Sequence, residues 1–144
     1  MQNKFVFDNI IAIYRPYTKM FQPIFESFEL YPAQWLVLKD ISYNEPTTLV
    51  QISKRRSIEK PTTRKILKVL SEKFLLTVET GTDKREKWLS LSPKGENLYK
   101  NISSRVDKVQ DEIIKNTGLS VSELEHITKS LQLIHEQILE MEEF

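Results

Sequence analysis

Apolar residues in this chain of 144 residues recur at helical spacing over most of its length, but they alternate between residues 76 and 91. Steps of three and four place apolar side chains on one face of a helix, whereas alternation places them on one face of a strand. Leu76–Thr80 and Lys87–Leu91 both alternate, and the segment between them starts with the turn residues Gly81–Lys84. The sequence therefore predicts a mainly α-helical protein with one small β-hairpin that has a charged tip.

Prolines, glycines and capping residues divide the helical part into six predicted helices. The first covers residues 5–28, and a kink or break is expected there because Pro16 and Pro23 each remove a backbone donor. The later helices are predicted to start at Pro32, after a Thr48–Gln51 capping box, near Lys60, after the N-cap Ser92 and after a Ser120–Glu123 capping box. Gly118 is expected to end the fifth helix.

The predicted fourth helix is apolar inside and largely basic outside. At 100° per residue its inner face comprises Thr63, Ile66, Leu67, Leu70 and Phe74. Its outer face comprises Pro61, Lys65, Lys68 and Glu72, with Thr62 and Arg64 at the borders. A short third helix with Leu49 and Ile52 inward precedes it, through a turn at residues 55–57. Together with the hairpin, this order is that of a winged helix-turn-helix.

The net charge of +1 hides a strong asymmetry along the chain. The interval from Lys54 to Lys87 contains eleven Lys or Arg and five Asp or Glu, a net charge of +6, while the rest of the chain carries −5. A basic helix by itself is often only a solvated surface. Here it follows a helix-turn-helix turn and precedes a basic hairpin, which favours a nucleic-acid surface.

Four segments in the right order resemble the MarR family of bacterial transcriptional regulators. Residues 32–38 look like the opening of the family's second helix, and residues 49–54 look like its first helix-turn-helix helix. Residues 60–65 with Leu70 are similar to its recognition helix, and Asp83–Arg85 with residues 89–95 to its wing and exit. The chain departs from the family at several positions; for example, Phe74 stands where the family usually has Gly, and Thr63 where Val is common.

The resemblance implies a homodimer that binds a pseudo-palindromic operator on double-stranded DNA, usually as a repressor. It also implies that the terminal helices, about residues 1–30 and 118–144, form the dimerisation region. Residues 31–92 would be the winged helix-turn-helix and residues 93–117 a long connecting helix, all within a single domain of residues 1–144. A small ligand often binds such proteins and releases DNA.

The candidate DNA contacts lie on the fourth helix and beside it. A helix fits the major groove, where Arg can grip guanine bidentately and a Thr methyl can touch the thymine methyl. We expect the recognition residues to be Pro61, Thr62, Arg64, Lys65 and Lys68, supported by Lys54, Arg55 and Lys60. Of these, Lys54 and Lys68, with Lys87 of the hairpin, are expected to hold phosphates.

The hairpin supplies the candidate wing residues Asp83, Lys84, Arg85 and Lys87. The functional interpretation places Arg85 in the minor groove, where A·T tracts concentrate negative potential, with Asp83 orienting it. The alternative is a surface ion pair of little energetic consequence.

The first two helices contain aromatic residues at helical spacing. Tyr14, Tyr17, Phe21 and Trp35, with Phe25 nearby, are candidates for an effector pocket that would take a small aromatic or apolar molecule. The alternative is that they form core or dimer interface, which is the more common use of such residues.

The last helix repeats apolar residues in steps of three and four. Leu124, Ile127, Leu131, Ile134, Ile138 and Met141 form an a/d seam over about 2.5 heptads. This seam is the predicted dimerisation surface, together with the first helix.

Other functional classes find little support in the sequence. There is no cysteine, and His126 and His135 fall on opposite faces of one helix, so neither a metal site nor a cofactor is expected. No acid–base or nucleophile motif indicates an enzyme. The longest apolar run has five residues and no signal peptide is visible, so we expect a cytoplasmic protein without a membrane helix. The rival hypothesis is a winged-helix protein-interaction module without an operator.

Overall fold

Six helices and one antiparallel β-hairpin make up residues 2–142, the part of the chain that the computed structural model describes. The helices are α1 (Gln2–Ser27), α2 (Pro32–Asn44), α3 (Leu49–Arg56), α4 (Lys60–Glu72), α5 (Pro93–Thr117) and α6 (Val121–Glu142). The strands are β1 (Leu76–Thr80) and β2 (Lys87–Leu91), with Leu76 opposite Leu91 and Thr80 opposite Lys87. The predicted fold class and both predicted strands are confirmed.

The chain divides into two units, one up to Val106 and one from Asp107 onward. Helix α5 contains the boundary. The predicted division into dimerisation, winged-helix and connecting segments stays a prediction, and Met1, Glu143 and Phe144 at its ends lie outside the described residues.

Helix α1 is continuous through both of its prolines, so of the expected kink or break the break does not occur. A proline removes one backbone hydrogen bond, but the bonds of the neighbouring turns remain. The Thr18 hydroxyl also donates to the carbonyl of Tyr14 at 2.8 Å. Phe21 and Phe25 are buried on either side of Pro23, and this packing anchors the helix where the proline weakens it.

The core of the first unit is formed by the inner faces of its helices and of β2. Its most deeply buried apolar side chains are Phe21, Leu30, Val37, Leu38, Ile41, Ile52, Leu70, Leu75 and Ile102. Trp35 is stacked between the rings of Phe25 and Tyr99, at centroid distances of 5.6 and 5.5 Å. Leu89 and Leu91 are both buried, as their alternation in the sequence predicted.

The predicted N-terminal caps are present, with one change of partner. The side chains of Thr48 and Ser92 accept hydrogen bonds from the backbone N–H groups of Gln51 and Gly95, at 3.2 and 3.0 Å. The Gln51 side chain does not complete the predicted box, because its Oε1 accepts from the hydroxyl of Thr47 at 2.9 Å.

The turn between α3 and α4 is shorter than expected. Arg55 and Arg56 belong to α3, and Ser57 is the residue that ends the helix, in the left-handed conformation with φ of 53°. The Ile58 N–H then bonds to the Ser53 carbonyl at 3.1 Å.

Phe74 does not belong to the inner face of α4. It lies beyond the end of the helix with φ of 62°, and 75% of the residue is exposed. A left-handed residue commonly ends a helix in this way, with the next N–H reaching back into the last turn. Here the Leu75 N–H bonds to the Leu70 carbonyl at 3.0 Å, and Leu75 takes the buried position instead.

The second unit contains the complete Ser120–Glu123 capping box at the start of α6. The Ser120 N–H donates to Glu123 Oε1 at 3.0 Å, and the Glu123 N–H donates to Ser120 Oγ at 3.1 Å. Hydrogen bonding to Ser120, through its backbone and then its side chain, lowers the pKa of Glu123 from its ordinary value. Gly118 ends α5 with φ of +74°, as predicted.

Replacing Gly95 with alanine is expected to destabilise the first unit strongly. A Cβ at this position would lie 2.1 Å from the backbone carbonyl oxygen of Leu75, and a backbone atom cannot move aside as a flexible side chain can. We expect the free energy of unfolding to fall by at least ~2 kcal/mol, measured by thermal denaturation.

Gly118→Ala is the matched control for this measurement. Among the described atoms, none lies within 4 Å of its added Cβ, so the only cost is the left-handed backbone, about 1 kcal/mol. Equal losses for the two variants would contradict the assignment of Gly95 to a close backbone approach.

Candidate DNA-binding surface

The outer face of α4 presents the predicted recognition residues to solvent. Pro61, Thr62, Arg64, Lys65 and Lys68 are all exposed, as is Lys60 at the start of the helix. Lys54 is exposed on α3, the preceding helix. The structure thus brings the predicted recognition residues onto one exposed, mostly cationic helix surface with dimensions that suit a major groove.

A buried pair of hydroxyl groups joins α4 to α3. Ser53 Oγ donates to Thr63 Oγ1 at 2.7 Å, and both residues are buried. Thr63 Oγ1 also donates to the Glu59 carbonyl at 3.3 Å, before the first turn of α4. A satisfied polar pair in an apolar setting fixes the geometry of its partners. The apolar pattern predicted Thr63 to face inward, but nothing in the spacing identified Ser53 as its partner.

The hairpin tip carries the predicted wing residues on a defined turn. The Gly81 N–H bonds to the Glu86 carbonyl at 2.8 Å, and the Glu86 N–H bonds to the Asp83 carbonyl at 2.9 Å. Asp83, Lys84, Arg85 and Lys87 are all exposed.

Asp83 acts on Arg85 through the backbone. Its Oδ1 accepts the Arg85 N–H at 3.0 Å, an Asx-type contact that shapes the turn. The orientation of Arg85 by Asp83 stays a prediction, and the contact that supports it is one in which the carboxylate sets the backbone from which Arg85 projects.

A third segment pairs with β2 along the edge of that strand opposite β1. Thr47 and Leu89 exchange two backbone hydrogen bonds, at 3.0 and 2.7 Å. Two residues further along β2, the Leu91 N–H donates to Glu45 Oε2 at 2.8 Å. The wing is thus fastened to the loop between α2 and α3. No sequence signal predicted this pairing, because the segment is too short to show alternation.

Arg55 differs from the other predicted DNA contacts in its surroundings. Its guanidinium forms a bidentate ion pair with Asp40 of α2, with a closest N–O distance of 2.7 Å, and donates to the Thr47 hydroxyl. Only 33% of its side chain is exposed. These contacts give Arg55 a role inside the domain, and the predicted contact of Arg55 with DNA stays a prediction.

The four aromatic residues predicted for an effector pocket fall into two groups. Phe21 and Trp35 are core residues with 1% and 4% exposure. Tyr17 contacts the ring of Phe21 at a centroid distance of 4.4 Å but is itself exposed, and Tyr14 is exposed as well. For Phe21 and Trp35 the geometry favours the core role that the sequence left open as the alternative.

Within residues 2–142, no cluster of three His, Asp or Glu side chains has an arrangement that would hold a metal ion. Over the same residues, no helix combines the length and the apolar character needed to cross a membrane.

The helix-turn-helix with its exposed basic helix and fastened wing defines a winged-helix DNA-binding protein. The family described as winged helix DNA-binding domain matches residues 30–95. An HTH-type transcriptional regulator of Staphylococcus aureus strain Mu50 is 46% identical over 134 residues, covering 92% of each chain. A native structure of Staphylococcus aureus MarR is 44% identical with a TM-score of 0.90, covering 97% of this chain and 99% of that one.

This chain belongs to the MarR family of transcriptional regulators. A second structure of Staphylococcus aureus MarR, in complex with salicylate and kanamycin, is also 44% identical, with a TM-score of 0.87 and coverage of 97% and 94%. The relatives are regulators and not enzymes, which agrees with the interpretation of the sequence.

The Asp83 contact generates a prediction for the wing. Asp83→Ala removes the acceptor that shapes the turn, so DNA affinity should fall, whereas Asp83→Asn keeps Oδ1 and should bind nearly as wild type does. Arg85→Ala should reduce affinity, most where flanking steps are A·T-rich. Thermal stability should change by only about ±0.5 kcal/mol in all three, since the residues are exposed.

A double-mutant cycle on DNA binding checks the link between the two residues. Because Asp83 would act only through the placement of Arg85, the losses from Asp83→Ala and Arg85→Ala should be less than additive. Additive losses, or an Asp83→Asn variant as defective as Asp83→Ala, would contradict the backbone role.

Proposed function

We propose that this chain is a dimeric repressor that binds a pseudo-palindromic operator and is released from it by a small-molecule effector. The observation that carries the proposal is the outer face of α4, where Thr62, Arg64, Lys65 and Lys68 are exposed together on the second helix of a helix-turn-helix. Exposed cations on this element complement the charge of the phosphate backbone and the acceptor groups of guanine.

The exposed residues sort into base-reading and phosphate-holding groups by position. Thr62, Arg64 and Lys65 project from the first turns of α4, the part of a recognition helix that reaches base edges. Lys54, Lys60, Lys68 and the wing lysines Lys84 and Lys87 would hold phosphates. Arg85 at the wing tip would enter the minor groove beside the contacted major groove.

The two terminal helices support a homodimer. Both expose many large apolar side chains, and apolar surface on this scale marks an interaction site. On α1 these are Phe5, Val6, Phe7, Ile10, Ile11, Ile13, Tyr14, Tyr17 and Met20; on α6 they are Val121, Ile127, Leu131, Leu133, Ile138 and Met141. No residue of α6 is buried within the described chain, although its periodic seam has the composition of a core. A second copy of the chain would cover both surfaces.

The effector proposal rests on the related regulator of Staphylococcus aureus whose structure contains salicylate. A small aromatic acid is therefore the first class of molecule to test. Tyr14 and Tyr17, the exposed members of the predicted aromatic group, offer ring faces and hydroxyl groups for such a ligand.

The DNA interaction is tested by selecting duplexes from a random library and measuring affinity against salt. Affinity should fall with a log–log slope of about −0.9 for each phosphate contact. Arg64→Ala or Lys65→Ala should cost about 1–3 kcal/mol and relax the preference at one base position, while Lys68→Ala should weaken all sequences about equally. Binding without salt dependence or sequence preference would favour a protein-interaction module.

The proposed dimer is tested at Leu131, whose side chain is 44% exposed in one chain. Leu131→Asp should give a folded monomer, because the charge disrupts an interface between chains but faces solvent in a single one. Gln132→Asp, at a neighbouring exposed position about 130° from the centre of the seam, is the control and should remain dimeric. Sedimentation velocity distinguishes the two species, and a dimeric Leu131→Asp variant would refute this interface.

A further inference from the structure

We infer that Asp40, Arg55 and Thr47 form a positioning network that holds the wing in place relative to the helix-turn-helix, so that both reach one DNA duplex. In this role Arg55 serves recognition without touching DNA. The inference rests on the proposed DNA binding and adds to it a set of residues that would not contact the duplex.

The guanidinium of Arg55 is fully oriented by its partners. Its Nε donates to both carboxylate oxygens of Asp40, at 3.1 and 3.2 Å, and its Nη2 donates to Asp40 Oδ2 at 2.7 Å. The same Nη2 donates to Thr47 Oγ1 at 2.7 Å. Bidentate pairing of Arg with a carboxylate is strong and strongly directional, and Lys cannot reproduce it.

These bonds join three separate parts of the first unit. Asp40 lies on α2, Arg55 lies in the last turn of α3, and Thr47 lies in the segment that pairs with β2. The Thr47 hydroxyl also donates to Gln51 Oε1 on α3. One guanidinium thus connects α2 and α3 to the strand pairing that carries the wing, and α3 is in turn bonded to α4 through Ser53 and Thr63.

Burial separates this network from the DNA-facing residues. Thr47 is fully buried, and 8% of the Asp40 side chain is exposed, so neither offers a contact to DNA. Removing one partner would leave the other charge or hydroxyl poorly satisfied in a partly buried site. The local structure would then relax, and the part that can move is the wing, whose β1 side is largely exposed.

The positions of α4 and the wing matter together because both must meet the same rigid duplex. Recognition constellations need their geometry held to within ~0.5 Å. A network that fixes the Thr47 segment to α2 and α3 therefore determines whether Arg85 reaches the groove when α4 is seated.

Three substitutions separate positioning from direct contact, with the duplex selected by the wild-type protein as the probe. Asp40→Asn removes a negative charge, which on electrostatic grounds alone would strengthen DNA binding; positioning predicts roughly tenfold weaker binding. Arg55→Lys keeps the charge, so a phosphate contact would survive, whereas positioning predicts a similar loss. Thr47→Val removes only a hydroxyl and should weaken binding in the same direction, which keeps the test informative if Asp40→Asn does not fold.

Coupling to the wing is the readout that a general loss of stability would not produce. In the Asp40→Asn background, Arg85→Ala should cost less than in the wild type, because the wing is already displaced. Lys68→Ala should cost the same in both backgrounds, because α4 keeps its place. Glu72→Gln, which removes an exposed carboxylate from α4, is the charge control and should bind as well as the wild type or better.

The outcomes assign failure to one proposal or the other. Binding by Asp40→Asn that equals or exceeds the wild type, full retention by Arg55→Lys, or additive losses with Arg85→Ala would each overturn the positioning network while leaving DNA binding intact. A wild-type protein that binds no duplex in a salt-dependent way would overturn the proposed function and this inference with it. Thermal denaturation of every variant ensures that affinities are compared between folded proteins.

Discussion

Burial of one face of α4 keeps the opposite, cationic face of this helix toward solvent. Ile66 and Leu70 are buried while the cationic residues opposite them are exposed, and each buried aliphatic side chain contributes about 1.5–3 kcal/mol. This apolar attachment to α2 and α3 holds a helix whose outer face is too basic to be buried. The proposed recognition of DNA requires that the cationic face of α4 stays exposed to solvent.

Polar contacts fix the orientation of α4 and of the wing, which apolar burial leaves open. Hydrophobic burial is not directional, so by itself it would leave α4 and the wing some freedom to slide and rotate. The Ser53–Thr63 bond between the two helices, the Thr47–Leu89 pairing and the Arg55–Asp40 ion pair each require a specific distance and angle. These interactions lie behind the exposed surface, and we propose that they determine where the exposed cations stand.

The two terminal helices, α1 and α6, differ from α4 in that most of their apolar side chains are exposed. No residue of α6 is buried in the described part of the chain, even though α6 is well capped by Ser120 and Glu123. A stable helix whose apolar seam is exposed in the single chain is suited to pair with a helix of a second chain. In this protein, the surface proposed to bind DNA is polar and is complete within one chain. The surface proposed for dimerisation is apolar and would be covered only by a second chain.

The helices and strands could be predicted from the sequence, because the signals for them are local. The hydrophobic period, the capping residues and the turn residues act within a few positions of the chain. They predicted both strands, the start of α4 and the exposure of Arg64, Lys65 and Lys68. Local signals are not sufficient where packing determines the structure. Helix α1 continues through Pro16 and Pro23, and Leu75 is buried where Phe74 was the predicted core residue.

The contacts between side chains that lie far apart in the sequence could not be predicted in this way. Arg55 belongs to a basic stretch of the sequence, but in the folded chain its guanidinium lies 2.7 Å from Asp40, which is fifteen residues earlier on another helix. Such pairings depend on where the helices and the hairpin cross after the core has formed. The spacing of residues along the chain carries no information on those crossings.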